Sequence, residues 1–312
     1  MRARLDQWAA SRGVRLACCA PAPVDHALAQ LASLGREGRL DPTFDHALDW
    51  FRAPAAGGRP TDAGVILVAM PRPAHLVNFA YRGESLDLVL PPTYHNYSGL
   101  FEEVRKDLED FLGGEVPLRL VRVPFKTLAT RMGFARYGRN NLTYVEGLGS
   151  YLQWMAFASP VAAGGALLAE LPRPLALDRC ATCRACRAAC PTGAIDEERF
   201  LIHAERCVTW FSEKEGPLPD AFATARRPCL IGCMVCQEAC PANAGRLSFA
   251  RLAARFTHEE TAYLIGEGTS PPPGLAAKLE QLRCSDCSLS EGVASPILRR
   301  NLKAALRRLG VA

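Results

Sequence analysis

Residues 180–195 read CATCRACRAACPTGAI and place four cysteines within eleven positions. They are Cys180, Cys183, Cys186 and Cys190. With Pro191 after the last of them, the spacing is C-x2-C-x2-C-x3-C-P, the run that ligates 4Fe–4S clusters in bacterial ferredoxins. Structural zinc sites also use C-x2-C pairs. The succession of such steps and the C-P ending favour the cluster, and in this run the fourth cysteine serves the other cluster of a pair.

A second, altered run lies at residues 232–243, GCMVCQEACPAN. It supplies Cys233, Cys236 and Cys240. Its first cysteine is missing, because position 230 is Leu230. The candidates for the eighth ligand are Cys207 and Cys229. Cys229 is one residue out of register and would direct its side chain differently along the loop, so Cys207 is favoured and Cys229 is interpreted as a small buried apolar residue.

The crossed ligation of two-cluster ferredoxins predicts two sets of ligands. The first set is Cys180, Cys183, Cys186 and Cys240. The second set is Cys190, Cys207, Cys233 and Cys236. The sequence therefore predicts two 4Fe–4S clusters, with one ligand relocated.

Four further cysteines stand outside this pattern. Cys284 and Cys287 form another C-x2-C, but the sequence has no second pair and no histidine close to them. A structural role is therefore favoured over metal binding for this pair. Cys18 and Cys19 are interpreted as buried thiols.

Composition indicates a globular protein of two domains. The chain has 312 residues, 49% of them hydrophobic, and a formal net charge of +5, which is too mild to argue for nucleic-acid binding by itself. The N-terminus interrupts its apolar positions with charged residues, and no stretch approaches 18 uninterrupted apolar residues. We therefore expect a cytoplasmic location without membrane contact, where clustered cysteines are metal ligands more often than disulfides.

The predicted fold class is α+β. Residues 64–69, GVILVA, are typical of a buried strand, and residues 98–113 carry apolar side chains at helical spacing. We expect a mixed α/β domain over residues 1–170 and a ferredoxin-like double-cluster domain over residues 171–312. The stretch 246–309 is expected to be mainly helical apart from the proline-rich break near residue 272.

The cysteine runs, with ERC at 205–207 and LRRNLKAAL at 298–306, resemble the epoxyqueuosine reductase family, whose cluster organisation is shared with reductive dehalogenases. Residues 93–112, TYHNYSGLFEEVRKDLEDFL, look like the family's Tyr-His segment before a helix. Residues 133–154, GFARYGRNNLTYVEGLGSYLQW, are similar to its glycine- and asparagine-rich stretch. The resemblance covers about residues 60–310.

This resemblance implies a cobalamin-dependent reductase, in which a corrinoid next to the N-terminal domain receives electrons from a cluster and reduces the substrate. Glycines permit close backbone approach to a large flat ligand, and amide or hydroxyl groups offer hydrogen-bond partners for its side chains. The residues assigned to cofactor binding are Gly138, Asn140, Asn141, Tyr144, Gly149 and Ser150. An ordinary β-hairpin with glycine turns is the alternative interpretation of this stretch.

The sequence departs from the family at its proton donor. Epoxyqueuosine reductases carry an aspartate three residues before a proline, and the matching residue here is Val121, before Pro124. The family's lysine after the second glycine is Arg139. The residues that could replace this aspartate as proton donor are Lys126, Tyr137, Tyr144 and His95.

Three functions are compatible with these observations. The first is a corrinoid-dependent iron–sulfur reductase of an organic substrate, supplied with electrons by a low-potential donor such as ferredoxin or flavodoxin. The second is an electron-transfer protein that serves a partner enzyme or a corrinoid protein and has no small-molecule substrate of its own. The third is the reduction of epoxyqueuosine in tRNA.

Overall fold

The computed structural model describes residues 1–40, 64–114, 116–163, 170–171, 173–199, 201–220, 222, 228–290, 292–308 and 310. These residues form two compact units. Unit 1 comprises Met1–Pro71 and Ser98–Arg184, and unit 2 comprises Arg72–Tyr97 and Ala185–Ala312. The sequence predicts two continuous domains that meet at residues 170/171. In the structure, residues 72–97 group with the C-terminal part of the chain. The reason is that this segment forms a hairpin that pairs with a strand from the C-terminal part.

The strands are β1 (Arg15–Cys19), β2 (Val65–Pro71), β3 (Ala74–Tyr81), β4 (Glu84–Leu90), β5 (Arg119–Leu120), β6 (Arg136–Tyr137), β7 (Thr143–Tyr144), β8 (Leu152–Ala158), β9 (Phe249–Phe256), β10 (Leu289–Ser290) and β11 (Val293–Ala294). The α-helices are Arg2–Ser11, Pro21–Arg36, Tyr97–Phe111, Phe125–Arg131, Pro160–Ala163, Ala185–Ala189, Val208–Ser212, Val235–Glu238, His258–Leu264, Leu275–Glu280 and Pro296–Arg308. Short 3₁₀ turns cover Asp178–Ala181, Ala204–Arg206 and Pro241–Asn243. The mixed α+β class predicted from the sequence is thus observed.

Unit 1 is built on an antiparallel sheet with the strand order β1-β2-β8-β5. The predicted strand at 64–69 is its buried β2, and alternate residues of β2 enter different apolar clusters. Ile66 and Val68 face the cluster that includes the helix Tyr97–Phe111, while Leu67 faces the cluster that includes the helix Phe125–Arg131. Because successive strand side chains point to opposite faces, the sheet is covered by helices on both sides.

Unit 2 contains a three-stranded sheet with the order β4-β3-β9, in which β9 runs parallel to β3. This strand corrects the expectation of a mainly helical region after residue 246. The segment FARLAARF at 249–256 is rich in helix-forming residues, but pairing with β3 and burial of Phe256 against Phe79, with ring centroids 4.7 Å apart, place it in the sheet. Within the residues described, the other regular elements of this region are three helices and the small β10–β11 hairpin, joined by turns.

Within the described residues, no helix combines the length and the apolar character needed to span a membrane. The longest, Pro21–Arg36, has 16 residues. A bilayer core needs about 20 apolar residues in a helix.

Candidate iron–sulfur centre

The two cysteine runs fold in the same way around their C-P steps. In the first run, Cys186 lies on the helix Ala185–Ala189 and its carbonyl accepts a 3.1 Å hydrogen bond from the N–H of Cys190. In the second, Cys236 lies on the helix Val235–Glu238 and Cys240 follows that helix directly. A turn then begins at each C-P cysteine, because the carbonyl of Cys190 accepts from Gly193 (3.4 Å) as that of Cys240 accepts from the residue three positions later (2.9 Å). The sequence repeat therefore corresponds to a structural repeat.

Four of the predicted ligands interact with one another in unit 2. Cys207 precedes the helix Val208–Ser212 and interacts electrostatically with Cys190. Cys233 interacts with Cys207 and Cys190, and Cys236 interacts with all three of the others. These are the four residues that the sequence assigns to the second cluster. Their convergence fits a thiolate-ligated centre, and their bonding to iron remains a prediction.

The local environment of these thiols opposes their ionisation when no cation is bound. Burial raises the pKa of Cys207, raises that of Cys233 to about 11, and raises that of Cys236 well above its usual value. A buried thiolate without a cation is costly, whereas iron stabilises the deprotonated sulfur. Backbone N–H groups of Thr209 and Trp210 point at the sulfur of Cys207 and offset part of the burial.

The two candidates for the eighth ligand both interact with Cys233. Cys229 lies in backbone pairing with β4, where the N–H of Leu230 donates to the carbonyl of Val89 at 2.8 Å. Its thiol is buried, which raises its pKa. Cys207 interacts with the three other predicted ligands of the second cluster. The choice of Cys207 stays a prediction.

The four predicted ligands of the first cluster are divided between the units. Cys180 and Cys183 belong to unit 1, where Arg139 donates a 2.6 Å hydrogen bond to the carbonyl of Cys180. Cys186 and Cys240 belong to unit 2, where Cys186 interacts with Cys236. The assignment of these four thiols to one cluster therefore stays a prediction.

The described residues give no site for a single metal ion. Within the part of the chain that the structure describes, no group of three or more His, Cys, Asp or Glu side chains is arranged to hold a metal ion. Zinc binds its four ligands around one ion, whereas a cubane carries one thiolate on each of four irons and spreads its ligands over a larger volume. The preference for a cluster over zinc rests on the spacing of the cysteines.

Asn301, on the helix Pro296–Arg308, joins the segments that carry Cys207 and Cys233, and the adjacent Arg300 binds the first of these segments. The fully buried Asn301 donates to the carbonyl of Ser212 (2.9 Å) and to that of Leu230 (3.1 Å). Its neighbour Arg300 donates to the carbonyls of Phe211 (2.9 Å) and Gly216 (2.6 Å). Arg300 also donates to Asn301 Oδ1 at 2.9 Å. The sequence does not predict this role, although both residues lie in the stretch LRRNLKAAL, where an asparagine among apolar helix positions is the available signal.

Tyr94 packs directly against the turn before Cys233. Gly232 has a φ of +76°, and a Cβ at this position would lie 2.7 Å from the Tyr94 ring. The N–H of Gly232 donates to Ser212 Oγ at 2.7 Å, and the Tyr94 hydroxyl donates to the carboxylate of Glu213. Burial, followed by the Glu213 charge, raises the pKa of Tyr94. Position 232 thus needs glycine for both its backbone conformation and its contact.

The residues predicted to bind a corrinoid lie in one hairpin and turn of unit 1, as the hairpin alternative expected. β6 pairs with β7, and the buried Asn140 donates from Nδ2 to the Tyr144 hydroxyl at 2.9 Å. A Cβ at Gly138 would lie 2.6 Å from Asn140 Oδ1, so the glycine is explained by this internal packing. Asn141 has a φ of +58° and accepts from Lys126.

Gly149 has a φ of +75° and closes a tight turn, with its N–H donating to the carbonyl of Val145 at 3.0 Å. Ser150 follows this turn and is buried. Because Asn140, Asn141 and Tyr144 are already bonded within the chain, this hairpin does not present a set of donors fitted to a corrin.

Three of the candidate proton donors lie in unit 1 and the fourth lies in unit 2. Lys126 bonds to the Asn141 carbonyl (3.2 Å), Tyr144 to Asn140, and the Tyr137 hydroxyl lies 3.3 Å from Thr127 Oγ1, with burial raising the pKa of Tyr137. His95 belongs to unit 2, where its ring centroid is 4.1 Å from that of His75.

Val121 stands where the resemblance places an acid. It is 1% exposed within an apolar cluster of unit 1, and its N–H donates to the carbonyl of Ala156 at 3.0 Å. A side chain in this position therefore lies in the core.

Comparison with known proteins supports the predicted resemblance. Residues 179–243 match the family model described as a 4Fe-4S double cluster binding domain, so the chain carries such a segment. An epoxyqueuosine reductase of Bacillus subtilis is 42% identical over 69 residues, which are 22% of this chain and 18% of the relative. One from Leadbetterella byssophila is 28% identical over 155 residues, or 49% of this chain and 46% of the relative. The aligned parts thus span less than half of either relative.

A solved epoxyqueuosine reductase shares the fold. Its crystal structure, with an epoxyqueuosine-modified tRNA-Tyr stem loop, superimposes with a TM-score of 0.62 over 99% of this chain and 81% of that chain, at 19% identity. The resemblance to epoxyqueuosine reductases that the sequence predicted is confirmed by these comparisons.

Proposed function

We propose that this protein is an iron–sulfur oxidoreductase that carries electrons through two 4Fe–4S clusters to an organic substrate. The observation that carries the proposal is the mutual interaction of Cys190, Cys207, Cys233 and Cys236, which come from separate parts of the chain. The double-cluster segment at 179–243 and the epoxyqueuosine reductase relatives support it.

The residues of the chain have distinct tasks in this proposal. Bound 4Fe–4S clusters supply one-electron transfer at a potential set by hydrogen bonds and exposure. The cysteines hold the irons as thiolates. Asn301 binds both segments that present Cys207 and Cys233, and Arg300 binds the first of them. Tyr94 covers the turn at Gly232, directly before Cys233. Such outer contacts orient metal ligands and tune the metal.

Iron and sulfide analysis tests the proposal. Protein prepared without oxygen is expected to contain about eight irons and eight sulfides per chain, in two clusters. Cys207→Ser should lose about half of this iron, because a cubane with three thiolates is labile. The matched control is Cys229→Ser, which removes a buried thiol of the same unit and should keep the full iron content. Equal iron loss in the two variants would contradict the ligand assignment, and absence of sulfide in the unaltered protein would contradict the proposal.

The electron acceptor is the second part of the proposal. The resemblance implies cobalamin, but Asn140 and Tyr144, two of the predicted binding residues, are bonded to each other, so binding there would require opening this contact. Anaerobic incubation with hydroxocobalamin, followed by gel filtration, is the test. One cobalt retained per chain supports a corrinoid enzyme, and retention of iron without cobalt removes that cofactor from the proposal.

Epoxyqueuosine in tRNA is the first substrate to test, because the relatives are epoxyqueuosine reductases and one was solved with a modified tRNA stem loop. Purified protein with a low-potential electron donor is expected to convert epoxyqueuosine to queuosine in tRNA, read by mass spectrometry of the nucleosides. A protein loaded with both clusters and cobalamin that leaves the nucleoside unchanged has another substrate.

The buried Val121 favours one alternative function. Since the position of the family's acid lies in an apolar core, an electron-transfer protein without a small-molecule substrate of its own is the second candidate. Its expected partners are a ferredoxin or flavodoxin as donor and an enzyme or corrinoid protein as acceptor. Transfer of electrons to an acceptor protein, together with no consumption of any tested small molecule, would select this alternative.

A further inference from the structure

The C-x2-C of unit 2 that the clusters leave unused has the geometry of a redox dithiol. Cys284 and Cys287 are the first and last residues of a turn closed by a 3.1 Å hydrogen bond from the Cys287 N–H to the Cys284 carbonyl. A turn of this kind holds the two Cα atoms within about 7 Å, and a disulfide needs about 4.4–6.8 Å. Each cysteine is also the first cause of the pKa shift of the other, so the two sulfurs lie close together.

The two sulfurs have unequal surroundings. The sulfur of Cys284 accepts hydrogen bonds from the Cys287 thiol and from the backbone N–H groups of Asp286 and Cys287, which together lower its pKa against the effect of burial. The hydrogen bond to Cys284 and burial raise the pKa of Cys287. Cys284 is 7% exposed and Cys287 is 2% exposed. Cys284 is therefore the thiol of the pair that ionises first, and it is the more exposed of the two.

The turn is fixed from the segment that follows β4. The carbonyl of Arg283, a residue with a φ of +45°, accepts a 2.8 Å hydrogen bond from the N–H of Asn96. The preceding carbonyl, of Leu282, lies 2.9 Å from Nδ1 of His95. These contacts hold the backbone on which Cys284 is presented, so the cysteine pair is supported by structure outside its own turn.

A metal role is a weaker explanation of this pair. Within the described residues, no third His, Cys, Asp or Glu side chain joins Cys284 and Cys287 in a group that could hold a metal ion. Both cysteines also lie in the apolar cluster of unit 2 with the helix Leu275–Glu280. A dithiol needs no further ligand.

We propose that Cys284 and Cys287 form a redox-active dithiol that exchanges with low-molecular-weight disulfides of the glutathione type and closes to an intramolecular disulfide. The Cys284 thiolate attacks one sulfur of the disulfide, forms a mixed disulfide and releases one thiolate. Cys287 then loses its proton and attacks the Cys284 sulfur, which releases the second thiolate. In sum, two protein thiols are oxidised to one disulfide and one small disulfide is reduced to two thiols. This proposal does not depend on the clusters.

Differential alkylation of the full chain tests it. Cluster-loaded protein is equilibrated without oxygen in glutathione buffers of increasing disulfide content, quenched in acid, treated with a maleimide in denaturant and digested with trypsin. The peptide that begins at Cys284 is expected to lose both alkylation sites and two hydrogens as the buffer becomes more oxidising, and to regain both sites with dithiothreitol. Two alkylated cysteines at every buffer ratio would overturn the proposal.

Variants separate the steps. Cys287→Ser should accumulate one glutathione on Cys284, because the resolving thiol is gone, whereas Cys284→Ser should accumulate none on Cys287. Glutathione on Cys287 in the second variant, or none on Cys284 in the first, would overturn the assigned order. Cys18 and Cys19, two buried cysteines that are adjacent in the sequence of unit 1, are the internal control. They should stay reduced, since burial raises the pKa of Cys19 to about 12.

The clusters give a readout that is independent of this exchange. The double variant Cys284→Ser, Cys287→Ser is expected to keep the iron and sulfide content of the unaltered protein. Loss of iron from this variant, with normal unfolding by urea, would show that the pair ligates metal and would overturn the dithiol assignment. A protein without any cluster would leave the alkylation result intact, so failure of the two proposals is distinguishable.

Discussion

Replacement of Asn301 by leucine is expected to release the second cluster. The side chain donates to two buried carbonyls, those of Ser212 and Leu230, and leucine supplies a branched side chain without donors. A buried acceptor left without its partner costs about 1–3 kcal/mol. The Ser212 carbonyl retains a longer contact of 3.4 Å from Arg300, so its cost belongs at the lower end. The expected loss is about 2–4 kcal/mol.

This loss acts on the segments that present Cys207 and Cys233. If they separate by local opening, a loss of about 2 kcal/mol raises the opening equilibrium about 30-fold. The assay follows iron release to a ferrous chelator without oxygen, which should become biphasic, with about half of the iron leaving at least about 30-fold faster. Urea unfolding measures the accompanying loss of stability.

A matched control is Lys303→Leu, which introduces the same residue at an exposed position of the same helix. It should release iron and unfold as the unaltered protein does. The reasoning is refuted if Asn301→Leu and Lys303→Leu release iron at the same rate. It is also refuted if Asn301→Leu loses stability but releases both halves of its iron equally fast.

Three further outcomes are expected. Burial lowers the pKa of His75 to about 4, so between pH 7.5 and 5 the unfolded chain takes up a proton that the folded chain does not. The free energy of unfolding, measured with urea, should therefore fall by about 2 kcal/mol over this range. This fall should be absent in His75→Leu. Gly232→Ala should destabilise more than Gly245→Ala, because both have positive φ but only the first meets the Tyr94 ring, and equal urea midpoints would contradict this. Hydrogen bonds from Arg12 and Trp8 lower the pKa of Asp107 despite its burial. The stability that these bonds supply is present above about pH 3.9 and is lost as the pH falls further. In Asp107→Asn, the free energy of unfolding should therefore fall less steeply with decreasing pH in this acid range.

The sequence alone predicted the strand at 64–69 and the helix after residue 97, because continuous apolar runs and helical spacing are local patterns. It failed at residues 249–256, where helix-forming residues form β9. That strand is stabilised by β3, which lies more than 160 residues earlier in the chain, and such pairing is not written in a local pattern.

The candidate site divides in the same way. Cysteine spacing predicted the double-cluster segment that the family model matches at residues 179–243, since thiolates two or three residues apart can bind one cubane from a single loop. The choice of Cys207 over Cys229 stays a prediction. The glycines of the 138–149 stretch were assigned to a cofactor, but the structure explains Gly138 by the Asn140–Tyr144 contact.

By itself, the sequence determined what can be read over a few residues: the cysteine runs, the amphipathic helices and the likeness to epoxyqueuosine reductases. Only the tertiary structure decided that Asn301 joins the segments of Cys207 and Cys233, that Tyr94 covers Gly232, and that position 121 lies in an apolar core. The physical reason is that hydrogen bonds to backbone carbonyls carry no residue code. Any residue supplies the carbonyl, so the donor's partner is fixed by packing between distant segments and not by the identity of its neighbours in the chain.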